Sequence, residues 1–255
     1  MLESQVNAYL TSLVERLHEE LENNLFAVHL FGSAGYGSYE HGASDIDVYT
    51  IIHEPLPPPK YHQLTQKINH HAIPCPARRL EFVLLSRANA AAQTPVINYE
   101  MNFNTGRGMD DHIGLDPSAE PRFWFLLDVA IGRDLGTVLY GPPPQEILAK
   151  PKPEWILDCM IESLDWHRDH LPITSDGILN VCRALRAVKT GKWGSKLDGG
   201  AWATKFYDKL DIVAVASRAR RSNEQIPQDK ALDFLAFAER QLQGSRAALQ
   251  VGEES

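Results

Sequence analysis

A Gly-Ser pair and an Asp-x-Asp pair, each attached to an apolar segment, constrain the fold of this chain more than any other feature. The run 25–31 is apolar and rich in branched and aromatic residues, which predicts a buried strand that ends at Gly32. After eleven intervening residues, Asp45 and Asp47 mark the start of a second apolar run over 46–52. Two buried strands joined through a glycine turn place the motif in a domain that contains a sheet.

The residue types in this motif suit a phosphate and a metal ion. Gly32 has no Cβ, so the backbone can turn tightly and approach a phosphate, and the Ser33 hydroxyl with free backbone N–H groups suits an anionic oxygen. The two-residue period of a strand puts Asp45 and Asp47 on one face. Two convergent carboxylates are what magnesium needs beside substrate phosphates. The pattern is typical of a nucleotidyl-transfer site.

Glu81 is the candidate for a third acid. It interrupts an apolar strand predicted over 80–85, where a carboxylate is costly unless it is paired or metal-bound. If this strand lies beside 46–52, Glu81 faces Asp45 and Asp47, and it can take the proton from an attacking hydroxyl. The alternative is that Glu81 is a solvated residue at the end of its strand.

The remaining patterning predicts two domains. Apolar residues at helical spacing over 6–21 indicate an amphipathic helix before the first strand. Gly141 is followed by three prolines, which we expect to form a rigid connector. We expect an N-terminal α/β domain over 1–140 and a helical domain over 141–255. Further helices are predicted over 60–71, 123–129, 155–166, 178–190 and 231–242.

Composition excludes several classes of protein. The 255-residue chain is 44% hydrophobic and 23% charged, with a formal net charge of −8, as in ordinary globular proteins. The acidic balance argues against a nucleic-acid binder, since such proteins usually carry a basic stripe. We expect no signal peptide and, because no run of about 18 apolar residues exists, no membrane partner. The three cysteines are far apart and predict reduced thiols in a cytoplasmic protein.

Two sets of residues carry a resemblance to known families. The Gly-Ser and Asp-x-Asp pairs resemble the DNA-polymerase-β-like nucleotidyltransferase superfamily. The second half is similar to the helical domain of the aminoglycoside (streptomycin/spectinomycin) adenylyltransferases, and the resemblance covers about residues 25–205. The segments that carry this second match are Arg183, Lys189-Thr190-Gly191-Lys192, Ser195-Lys196 and Ala201-Trp202-Ala203, with Leu139-Tyr140-Gly141-Pro142 similar to the family's connector.

This resemblance implies an α+β protein, with a nucleotidyltransferase domain of mixed sheet and flanking helices followed by an α-helical bundle. It also implies transfer of AMP from ATP to a hydroxyl group, with Mg²⁺ as cofactor and release of pyrophosphate. Glu81 would be the base. The metal-binding acids implied are Asp45, Asp47 and Glu81, and the residues implied to contact ATP are Gly32, Ser33, Arg183 and Lys196.

The implied partner is a small-molecule acceptor, an aminoglycoside, bound by a monomer or weak dimer without nucleic acid or membrane. The family carries a drug-stacking tryptophan after the third strand, whereas the segment 99–106 contains none. Two alternatives stay open: AMP transfer to a protein or another metabolite, and a nucleotide-binding sensor with little turnover. The helical domain argues against a protein acceptor, and the presence of Glu81 beside both aspartates argues against a sensor.

Overall fold

A computed structural model describes residues 4–207, 211–222 and 224–253. The chain divides into two compact units, residues 1–150 and 151–255. The boundary lies after Lys150, whereas the sequence placed it after residue 140. The reason is that the residues following the last strand remain attached to the first unit. The Ala149 N–H donates to the Ala90 carbonyl at 2.8 Å, and the Arg133 guanidinium donates to the Leu148 carbonyl.

The first unit is built on a mixed sheet. Among the residues that the structure describes, six strands lie in the order β5-β4-β3-β2-β1-β6. Strands β2 and β3 are parallel, and every other neighbouring pair is antiparallel. The strands predicted over 25–31, 46–52 and 80–85 are confirmed, and they are the first three strands in chain order. The strands are β1 Leu25–Phe31, β2 Ile46–Ile52, β3 Arg79–Ser86, β4 Met101–Gly106, β5 His112–Gly114 and β6 Thr137–Tyr140.

Helices cover both faces of this sheet. One face carries the amphipathic first helix, whose Leu13 and Leu17 are fully buried in a core with Val28, Val48 and Phe82. On the other face Phe31 lies against Gly132, where a Cβ would overlap its ring. The helices of this unit are α1 Ser4–Leu21, α2 Gly32–Gly35, α3 Pro58–Ile68, α4 Arg87–Ala91, α5 Arg122–Leu135 and α6 Pro144–Ile147.

Short 3₁₀ turns over Glu22–Asn24 and Pro117–Ala119 complete the first unit. Helix α3 begins at Pro58, earlier than the predicted residue 60, because proline fits the first helical turn, where its missing N–H costs nothing. It ends at Ile68, short of the predicted residue 71, and Asn69 is already extended.

The second unit is helical, as predicted. Helix α8 packs against α9, α10 and α11, and α11 also packs against α7. Within 4–207, 211–222 and 224–253, no helix combines the length and apolarity that crossing a bilayer requires. The helices of this unit are α7 Pro153–Asp169, α8 Ser175–Thr190, α9 Lys196–Phe206, α10 Asp211–Ala219 and α11 Gln228–Glu253.

Candidate active site

The Gly-Ser turn lies directly against the second aspartate. The chain leaves β1 at Phe31 and turns through Gly32, which has a left-handed φ of +57° that favours glycine. A Cβ at this position would overlap Oδ2 of Asp47. Glycine therefore serves two purposes here, since it allows the backbone conformation and leaves room for the carboxylate. Ser33 follows in α2, with its carbonyl accepting from the Ser38 N–H at 2.9 Å.

The parallel pairing of β2 and β3 brings the predicted acids together. Asp47 is in register with Glu81, and Asp45 immediately precedes β2. The pKa of Asp47 is raised well above its usual value, first by burial and then by the negative charge of Glu81. Asp45 and a hydrogen bond with Glu81 add to this effect. The structure thus places the charges of Glu81 and Asp45 close enough to Asp47 to disfavour its ionised form.

Two arginines from β3 and the segment before it compensate part of this charge. Arg78 binds Asp45 through two hydrogen bonds, of 2.8 Å from Nε and 2.7 Å from Nη2. The Nε of Arg79 donates to Asp45 Oδ2 at 3.2 Å, and its Nη2 pairs with Glu81. Arg79 therefore bridges two of the three acids. Sequence patterning did not indicate these contacts, because side-chain orientation at a strand end is not encoded in apolar periodicity.

Asp128 is a further acid at the site that sequence reasoning missed. It lies on α5, beneath the sheet, and accepts a hydrogen bond from the Tyr49 hydroxyl at 3.3 Å. Its charge is among the causes that raise the pKa of Asp47. Asp128 interrupts an apolar run in α5 in the same way that Glu81 interrupts β3. That shared signal could have identified it.

The chemistry of the donor set fits magnesium. Hard divalent cations are bound by carboxylate oxygens, and a doubly positive ion would relieve the repulsion that raises the pKa of Asp47. Within the described part of the chain, however, no group of three or more Asp, Glu, His or Cys side chains is arranged to hold a metal ion. Asp45 and Glu81 are turned toward the arginines. Magnesium would therefore have to replace arginine contacts of Asp45 and Glu81.

The two cationic residues implied by the resemblance lie on neighbouring helices of the second unit. Arg183, on α8, donates to Asn180 Oδ1 at 2.5 Å, and Lys196, at the start of α9, lies 3.6 Å from Asp176 Oδ1. A Cβ on Gly199 would come within 2.5 Å of the Arg183 backbone nitrogen, so glycine allows α8 and α9 to approach closely. Helices α8 and α9, which carry these two cations, are therefore in close contact within the second unit.

Ser195, which belongs to the matched segment, has a structural role at the start of α9. Its hydroxyl accepts from the Asp198 N–H at 3.1 Å, and the Asp198 carboxylate accepts from the Ser195 N–H at 2.9 Å. This reciprocal capping box satisfies two backbone donors that a helix start leaves unpaired. It fixes the position of the turn from which Lys196 projects.

Lys196 lies among other charged and titratable side chains of the second unit. Asp176 also pairs with Arg220, whose side chain is only 10% exposed. His167 lies nearby, and burial, reinforced by the positive charge of Lys196, lowers its pKa to about 4. His167 is therefore neutral near pH 7. The second unit holds a cluster in which one carboxylate is shared by two cations.

The segment that lacks the family's tryptophan forms β4. Asn104 in this strand is in register with Glu81, and its Nδ2 lies 3.4 Å from Asn102 Oδ1. Asn102 in turn donates to the Glu120 carboxylate at 2.9 Å. Polar amides, not an aromatic ring, therefore continue the sheet face beside Glu81.

A solved structure shares this architecture. The spectinomycin adenyltransferase AAD(9) from Enterococcus faecialis, solved with ATP and spectinomycin, matches with a TM-score of 0.72 over 93% of this chain and 99% of that chain. The sequences are 19% identical over the match, so the likeness demonstrates a shared fold. It confirms the α+β architecture that the sequence resemblance implied.

No family model matches the sequence, and no curated protein matches it either.

Proposed function

We propose that the chain is a magnesium-dependent nucleotidyltransferase that moves AMP from ATP to a hydroxyl of an aminoglycoside of the streptomycin/spectinomycin type, releasing pyrophosphate. The observation that carries the proposal is the seating of Asp47 against the Gly32 turn, in register with Glu81. These residues belong to a chain whose fold is shared with an adenyltransferase solved with ATP and spectinomycin. A structural protein would have no reason to keep mutually repelling carboxylates at a glycine turn.

The acids of the first unit would have two roles, magnesium binding and acceptance of a proton. Asp45, Asp47 and Glu81 would hold magnesium, which when bound offsets phosphate charge and stabilises the attacking and leaving oxygens. Glu81 would take the proton of the acceptor hydroxyl as its oxygen forms the bond to the α-phosphorus. The bond from that phosphorus to the bridging oxygen breaks, and pyrophosphate leaves.

Four residues are proposed to contact the nucleotide phosphates. Ser33 and the backbone at Gly32 would contact the nucleotide phosphates, because a hydroxyl and backbone N–H groups suit anionic oxygens. Arg183 and Lys196 would stabilise the charge that develops on departing pyrophosphate. We further propose a cytoplasmic monomer or weak dimer.

A second acceptor class is favoured by one observation. The position beside Glu81 carries the amide of Asn104, and the segment 99–106 contains no tryptophan. An amide selects an acceptor through hydrogen bonds, whereas a tryptophan offers an apolar face to a ring. Another polyhydroxylated metabolite is therefore the second candidate, with the same transfer chemistry.

The test is pyrophosphate release from ATP and magnesium across a panel of aminoglycosides that includes streptomycin and spectinomycin. Asp47→Asn is the inactive control. Release that depends on one drug and disappears in the variant supports the proposal and names the acceptor. Tight binding of Mg-ATP without release for any drug refutes the aminoglycoside acceptor and directs the search to other metabolites.

Glu81→Gln separates an enzyme from a nucleotide sensor. In an enzyme the variant loses transfer rate because the hydroxyl proton has no acceptor, while nucleotide binding persists. In a sensor the response to ATP persists and there is no rate to lose.

A further inference from the structure

The bridge that Arg79 forms between two acids differs from an ordinary surface ion pair. Arg79 precedes Glu81 by two positions in β3, so both side chains lie on one face of the sheet. Its Nε reaches Asp45 at 3.2 Å while its Nη2 reaches Glu81. The Arg79 side chain is 35% exposed, against 54% for Arg78, which contacts Asp45. A planar guanidinium presents donors in several directions and can join two carboxylates at once.

This bridge occupies oxygens that a metal ion would need. Both oxygens of Asp45 accept hydrogen bonds from the arginines, and Oδ2 accepts from both of them. A cation placed among Asp45, Asp47 and Glu81 would also meet the positive charge of Arg79. The arginine and the metal therefore compete for the same two carboxylates.

We infer that Arg79 is an internal counter-ion that magnesium must displace. In the metal-free protein Arg79 pairs with Asp45 and Glu81, and its positive charge offsets part of the negative charge of the three carboxylates. Metal binding would release the guanidinium and free the Asp45 and Glu81 oxygens that it holds. The inference rests on the proposed function only in taking these three acids as the metal ligands.

The exchange has a consequence for the order in which ligands bind. A metal that must first displace Arg79 binds weakly on its own, whereas a metal that arrives with nucleotide phosphates brings additional oxygen ligands. Mn²⁺ binding to the free protein is therefore weak and tightens when a nucleotide is present. The nucleotide used for this comparison is an ATP analogue with a methylene group between the α- and β-phosphorus, which cannot transfer AMP.

The first experiment observes Arg79 directly in the wild-type protein. Its Nε–Hε resonance in a ¹⁵N-resolved NMR spectrum is assigned by its disappearance in Arg79→Lys. Adding Mg²⁺ moves or broadens this resonance, because the hydrogen bonds to Asp45 and Glu81 are lost. The Nε–Hε resonance of Arg87 serves as the internal reference, since that guanidinium lies over the Phe26 ring, 4.3 Å from its centroid, at the other end of β3.

The second experiment measures Mn²⁺ affinity by electron paramagnetic resonance. Arg79→Gln binds Mn²⁺ roughly fivefold more tightly than wild type, because a partly exposed ion pair no longer has to be broken. Arg79→Lys keeps the charge but loses the planar fork, so it also binds more tightly than wild type. Arg87→Gln removes a distant charge and leaves the affinity unchanged.

The outcomes separate this inference from the proposed function. Mg²⁺ binding with an unmoved Arg79 resonance overturns the exchange, and so does an Arg79→Lys variant with wild-type affinity, which would indicate long-range charge alone. Absence of Mn²⁺ binding in wild type and in Arg79→Gln overturns the metal site and the exchange together. A displaced Arg79 resonance without AMP transfer to any drug refutes the proposed acceptor and supports the exchange.

Discussion

Replacing Gly32 by alanine tests the geometry on which the candidate site depends. The added Cβ meets two obstacles: the backbone φ of +57°, and Oδ2 of Asp47, with which it overlaps. Gly42 offers a matched control, since its φ is +79° and no atom lies within 4 Å of the position that a Cβ would take. Both variants share the backbone strain, and only Gly32→Ala displaces the carboxylate.

The size of the effect follows from these two obstacles. An L-residue in the left-handed region costs about 1–2 kcal/mol, which applies to both variants. Forcing a side chain out of a packed position adds about 1–3 kcal/mol, which applies to Gly32→Ala alone. We therefore expect the free energy of unfolding to fall by about 2 kcal/mol more in Gly32→Ala than in Gly42→Ala.

The functional loss should be larger than the loss of stability. A displacement of about 1 Å in a group that positions reactants costs on the order of 100-fold in rate. We expect pyrophosphate release by Gly32→Ala to fall by at least that factor, while Gly42→Ala stays near wild type. Urea denaturation of both proteins gives the stability difference. Equal stabilities together with equal rates would show that Asp47 does not depend on the open space at Gly32.

Three further predictions concern other parts of the molecule. The pKa of His167 is lowered from 6.5 to about 4 in the folded protein. Between pH 6.5 and pH 4 the unfolded chain therefore binds a proton that the folded chain does not. The free energy of unfolding should fall over this range by up to about 3 kcal/mol. Unfolding measured at pH 7 and pH 5 should therefore differ less in His167→Gln. Asp128→Asn removes a negative charge and should lower the pKa of Asp47 in the metal-free protein, measured by ¹³C-carboxyl NMR titration; an unchanged titration would contradict the charge interaction between the two residues. Gly199→Ala should destabilise the second unit by about 2 kcal/mol, whereas Gly244→Ala, in open space on α11, should stabilise it slightly in the same thermal melt.

Apolar periodicity predicted those parts of the fold in which one face of an element is buried. The strand over 25–31 and the helix before it were predicted correctly because nearly every inward position there is apolar. Strand β4 also alternates, with Met101 and Phe103 fully buried, but the sequence patterning predicted no strand there. Its alternation was a usable signal.

The candidate site was predictable only in part. The proximity of Asp47 and Glu81 followed from placing two short strands side by side, which the sequence favoured. The position of Asp128 near Asp47 could not be predicted, because it depends on how α5 packs beneath the sheet. The bridging by Arg79 depends on side-chain conformation, which no spacing rule contains.

The close crossing of α8 and α9 limits how the second unit can change over evolution or under selection in the laboratory. Where glycine brings two backbones within van der Waals contact, any larger residue must separate the helices. A different spacing at Gly199 would therefore move Lys196 and Arg183 apart together with the helices that bear them. Side-chain exchange at exposed positions of α11 is not subject to this limit. The seam between α8 and α9 therefore accepts no larger side chain at Gly199 without a shift of one helix.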